Sequence, residues 1–176
     1  MKLSRKIASV GIVLLGLAAL ALGLRAQMQG TTTQIVKPDL LVDKIEFTTA
    51  PAAGGATQLT ILYTLFNDSN VPSRNAPTEA GKNAWKSNPV QNLMFEAKLD
   101  VRDYPSGAWQ NVSTIQLELG AHVKATCNSV LVVPAGKKKE FRATVDSQNW
   151  INESNENNND KKAIWPPTSM AAPIQK

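Results

Sequence analysis

The side chains best suited to chemistry lie in two polar stretches and one isolated pair. In the run Val145 to Asp160, the carboxylates of Glu153, Glu156 and Asp160 sit close together among asparagines. Calcium takes several oxygens from carboxylates, amides and backbone carbonyls, so these residues form a candidate site for a hard cation. Their spacing is not that of an EF-hand, and no glycine lets the loop wrap tightly. The same residues also fit a purely structural role, because Asn and Asp bond nearby backbone amides and tolerate left-handed conformations in sharp turns. Trp150 and Ile151 are the apolar pair that such a turn would bury.

The second stretch is residues 68–90, DSNVPSRNAPTEAGKNAWKSNPV. Trp85 stands between Lys82 and Lys86 with Arg74 nearby, and an exposed indole flanked by cations can stack on a sugar or anchor in a partner's pocket. Alternatively, Trp85 folds back over an edge of the domain. His122 and Cys127 are the only residues of their kinds. Their odd spacing along one strand sets them on opposite faces, so a nucleophile and base pair is not expected. Cys127 reads as a small buried hydrophobe, and a single cysteine allows no intramolecular disulfide and no cysteine-pair metal site. With one histidine and no carboxylates set apart by environment, an enzyme is not expected. Lys137, Lys138 and Lys139 read as charges guarding a strand edge, or as a contact for an anionic surface.

Strands position these groups. Leu40 and Val42 share one parity and Ile45 and Phe47 the other, a phase change that predicts a bulge in the first strand, Asp39 to Thr48. Leu59, Ile61, Tyr63 and Leu65 alternate with less apolar neighbours through Thr57 to Asn67, the period of a half-buried strand. Phe95, Ala97, Leu99 and Val101 repeat that pattern. A weaker strand carries Trp109, Ile115, Leu117 and Leu119, and two more carry Val123 to Val133 and Phe141 to Val145. A last strand, Lys161 to Trp165, stops at Pro166 and Pro167. Turn signals separate these pieces and no helical period stands out. The expected fold is all-β, a seven-stranded antiparallel immunoglobulin-like β-sandwich preceded by an N-terminal signal helix.

Residues 1–26 have a basic start followed by the apolar run Ile7 to Leu24 and small residues, the build of a signal peptide. Left uncleaved, the same run would be a membrane anchor. Residues 27–37 read as a linker, 38–165 as the domain with its insertion at 68–90, and 166–176 as a disordered tail. The chain has 19 Lys and Arg against 14 Asp and Glu. Lys2, Arg5, Lys6 and Arg25 lie in the leader, which leaves 15 against 14 beyond it. The basic balance therefore belongs to the leader, and nucleic acid is not an expected partner.

The pattern Val145-Asp146, Ile151 and Glu153 through Asn159 resembles the closing signature of CARDB domains, the cell-adhesion-related module of bacterial and archaeal surface proteins. The opening Pro38-Asp39-Leu40-Leu41-Val42, the strand end Leu65-Phe66-Asn67 and the turn Leu119-Gly120 fit the same family. The stretch 68–90 departs from it, since the family usually has a short turn there. The resemblance implies an immunoglobulin-like fold outside the cell, a binding or spacer role and no catalytic residues. The expected function is a secreted, extracellular or periplasmic module for binding or adhesion at the bacterial cell envelope. Its partner would be a protein or a surface polysaccharide, with the membrane involved only if the leader stays uncleaved. The alternative is a structural subunit or spacer of a surface assembly that pairs through strand edges. No cofactor is required, apart from the calcium that the closing turn would suit.

Overall fold

The computed structural model describes residues 36–87 and 94–167. The signal helix, most of the linker and nearly all of the tail expected from the sequence fall outside these residues.

Seven strands form two antiparallel sheets: β1 (Leu40–Pro51), β2 (Thr57–Asn67), β3 (Phe95–Asp103), β4 (Gln110–Leu117), β5 (Lys124–Val133), β6 (Lys139–Thr144) and β7 (Asp160–Trp165). One sheet has the order β1-β2-β5 and the other β4-β3-β6-β7. Alternation along each strand fills the space between them. Leu59, Ile61, Tyr63 and Leu65 from β2 meet Phe95, Ala97 and Leu99 from β3 and Phe141 and Ala143 from β6, all fully buried. The expected bulge in β1 is present, with the register against β2 shifting between Val42 and Lys44. It changes the parity that faces inward, so that Leu40 and Val42 and then Ile45 and Phe47 all pack on one core. Phe47 lies against Phe141 with ring centroids 5.2 Å apart.

Two expectations change. The insertion contains a helix, α1 (Glu79–Ser87), that the absence of an apolar period had hidden. Thr78 caps it, its Oγ1 accepting a hydrogen bond from Gly81 N at 3.1 Å. Glu79 in the first turn and Lys86 in the last also suit the helix dipole. A helix this short presents only Gly81 and Trp85 as buried residues, which is too few to register as a period. The lysine cluster does not guard an edge either. Lys139 begins β6, an interior strand between β3 and β7, and its ammonium pairs with Asp103 at 2.8 Å, while Lys137 and Lys138 are exposed in the preceding turn.

Candidate functional site

The motif residues converge at one end of the sandwich, where they tie the first strand to the last connection. Leu40 N donates to Glu153 Oε2 at 2.6 Å, and Asn159 Nδ2 donates to Glu153 Oε1 at 2.8 Å. Ser154 N donates to Pro38 O at 2.9 Å, and Asn158 Nδ2 to Asp39 Oδ1 at 2.8 Å. Asn67, fully buried at the end of β2, donates through Nδ2 to Val71 O at 2.8 Å and to Gly120 O at 3.0 Å. Its Oδ1 accepts from Ser69 Oγ at 2.9 Å. The opening strand, Asn67, the Leu119-Gly120 turn and the closing connection are therefore one hydrogen-bonded assembly.

Asp146 starts the closing connection with φ 46°, a left-handed conformation that Asp tolerates. Its carboxylate accepts from Trp150 N at 2.9 Å and Ile151 N at 2.8 Å, which folds the chain back and seats Ile151 in the core. Two carboxyl groups are thus sunk in the protein. Burial pushes Glu153 up to about 8, against the opposing pull of its bonds from Leu40 and Asn159. Burial likewise raises Asp146 to about 6, with its two backbone donors pulling the other way.

The structure parts the three acids expected to hold calcium. Glu153 faces inward at 3% exposure, Glu156 turns back so that its Oε1 accepts from Glu153 N at 2.9 Å, and Asp160 is exposed at the start of β7. Among the described residues, no three His, Cys, Asp or Glu side chains gather as a metal cluster. The side-chain oxygens of two consecutive asparagines do lack partners: Asn158 Oδ1 and Asn159 Oδ1 are both buried and accept nothing.

The insertion rests on this end. Thr78 N donates to Trp150 O at 2.7 Å, Asn152 N donates to Ala76 O at 2.6 Å, and Pro77 bridges Ile151. Helix α1 comes so close that a Cβ on Gly81 would stand 3.1 Å from Trp150 C, and nearer still to its carbonyl oxygen. Of the residues expected to meet a partner, Trp85 does not remain open. It is 7% exposed, joins the core, and its indole N–H donates to Met94 O at 3.0 Å. A large apolar ring next to an uncovered core gains more by closing it than by facing water, so it folds back over the sandwich. Arg74 pairs with Glu118 at 3.4 Å, Lys82 pairs with Glu79 at 2.6 Å, and Lys86 is exposed. These cations remain on the surface without a shared aromatic anchor.

A different tryptophan lines a groove. On the outer face of the four-stranded sheet, Glu96, Lys98 and Asp100 of β3, Asn111 and Thr114 of β4, and Arg142 and Thr144 of β6 line a shallow open groove of about 770 Å³ together with Trp109 and Ser147. Trp109 stacks with two guanidinium groups, those of Arg102 and Arg142, whose carbons lie 4.5 and 4.7 Å from its ring centroid. Asp100 Oδ2 accepts from Arg142 Nη2 at 2.9 Å, and Glu140 Oε2 accepts from Arg102 Nε at 2.5 Å. Arg142 Nε is buried without a partner. Charged groups alternate along β3 and β6 in the sequence, and Trp109 follows the Pro105-Ser106-Gly107 turn, so the components were visible. That they share one face depends on the β3–β4 register, which shifts between Leu99 and Asp100.

Two antiparallel sheets packed face to face around this core define an immunoglobulin-like β-sandwich module. The CARDB family model matches residues 37–163, and the chain belongs to that family. Among solved structures, it is similar to a CARDB domain from Pyrococcus furiosus in complex with di-metal ions, with 17% identity and TM-score 0.47 over 75% of this chain and 94% of that one. It is also similar to a Bacillus subtilis protein described as a lipoprotein, with 9% identity and TM-score 0.36 over 73% of this chain and 36% of that one. No curated protein matches the chain at a significant level.

Proposed function

We propose that this chain is a secreted, non-enzymatic module for binding or adhesion at the bacterial cell envelope, extracellular or periplasmic, with the Trp109 face as its contact surface. The supporting observation is the groove itself. It combines an amphipathic ring, guanidinium and amide donors, and carboxylate acceptors on rigid strands, a set suited to a polar partner such as a surface polysaccharide or an envelope protein. The only cysteine offers no competing nucleophile, since burial pushes the Cys127 thiol up. In co-sedimentation with isolated envelope polysaccharide, the full chain should bind and Trp109→Ala should weaken binding by about tenfold or more. Equal binding by both proteins would reject this face.

Calcium at the polar end is a second reading, supported by the side-chain oxygens of Asn158 and Asn159, which are buried without partners. It expects a higher thermal midpoint in millimolar calcium than in chelator, lost in the Asn158→Ala and Asn159→Ala variants. An unchanged midpoint rejects it.

A further inference from the structure

A sheet edge presents unpaired backbone donors and acceptors, and folded proteins normally blunt it with charge, proline, a bulge or a cover. Three of the four edges here are blunted. The first, β1, is bulged between Val42 and Lys44, carries the Lys44–Glu46 ion pair, and has Lys161 Nζ reaching over it to Asp43 O. Strand β7 is six residues long, opens with Asp160, Lys161 and Lys162, and runs into Pro166 and Pro167. On β4, a register shift interrupts the pairing with β3, and Asn111 Nδ2 caps Ser113 O on its own strand at 3.2 Å.

Among the described residues, the fourth edge has no such device. Strand β5 runs ten residues and pairs with β2 without a break from Thr57↔Val133 to Phe66↔Lys124. Its other side pairs with no strand among the described residues. From Ala125 to Val133 it contains no charged residue, proline or glycine. On its outer face, Val130 and Val132 stand 57% and 55% exposed, with Val36 the most open large hydrophobics among the described residues.

We propose that β5 pairs antiparallel with β5 of a second copy of this chain across a two-fold axis, joining the two three-stranded sheets into one. A two-fold arrangement sets the uncharged run against itself, so no like charges meet along it, and Lys124 lies at its end. With the run overlapped in this way, Val130 of one copy lies diagonally across from Val130 of the other on the shared outer face. A partner recognised by charge would find nothing on this edge to complement. The surface is separate from the Trp109 groove, so the inference stands or falls independently of the binding role.

Sedimentation velocity of the full chain in reductant should show a concentration-dependent dimer. Val130→Lys and Val130→Glu should each raise its dissociation constant by about tenfold or more, and mixing the two variants should restore association. Hydrogen exchange on the unmodified chain provides a check without substitution, since β5 amides should gain protection as concentration rises. A strict monomer, a dimer indifferent to both variants, or one lost in reductant through Cys127 would overturn the proposal.

Discussion

Raising the pH from about 5 to about 8 in chelator is expected to lower the thermal midpoint of this domain. Glu153 and Asp146 are buried, which lifts them to about 8 and about 6 from ordinary values of 4.5 and 3.8. Below the ordinary values both are protonated whether the chain is folded or not, and their burial carries no ionisation penalty. As pH rises, the unfolded chain releases these protons first, while the folded chain retains them. Unfolding is then favoured by release of protons, so stability falls across the window and the loss is complete once pH passes the folded value of Glu153. Each unit of separation corresponds to about 1.4 kcal/mol. Because the two groups interact, the combined loss is set on the order of 3 kcal/mol. For a domain of this size that is about 10 °C. A midpoint that stays level or rises between these limits would contradict the burial of both groups.

The second large effect separates the two roles of Glu153. Glu153→Ala strands Leu40 N inside the sandwich, leaves Asn159 Nδ2 without its acceptor and opens a small void, at a cost of about 3 kcal/mol. Glu153→Gln should cost less than about 1 kcal/mol. Its carbonyl oxygen can accept from Leu40 N, and its amide can face Asn159 once that side chain flips to present Oδ1, the oxygen that has no partner now. The Gln variant should also flatten much of the pH dependence, because the group with the higher value no longer titrates. Urea unfolding of the three proteins at pH values near 5 and near 8 measures both effects. If the Gln variant is as damaged as the Ala variant, the carboxylate is needed in its charged form and the proposed neutral role is wrong.

These contrasts also explain what the sequence could reveal. The alternation in β2 and β3 and the phase change in β1 were legible because a strand that buries one face repeats every two residues, and a bulge is the only local way to change parity and keep packing. The closing motif was legible as a turn, since asparagines and aspartates behave that way locally. Its attachment to Leu40 was not, because a bond between residues far apart along the chain leaves no local signature. Helix α1 was missed because only Gly81 and Trp85 face inward. The two tryptophans were less legible for a related reason. The flanking lysines left Trp85 two positions, facing solvent or folded back over the domain, and the one it takes depends on the core gap that it closes. Trp109 looked like one more residue of a weak strand, and its position outside the core follows from pairing between β3 and β4.

The outer face around Trp109, rather than the insertion around Trp85, is the surface proposed to meet the partner. The most direct measurement is an NMR titration of the full chain with isolated envelope polysaccharide, following the indole N–H signals of the tryptophans and the Nε signal of Arg142. Progressive shifts at Trp109 and Arg142, with Trp85 unmoved in its bond to Met94, are the predicted result. Shifts confined to Trp85 and its neighbours on α1, with Trp109 silent, would contradict it.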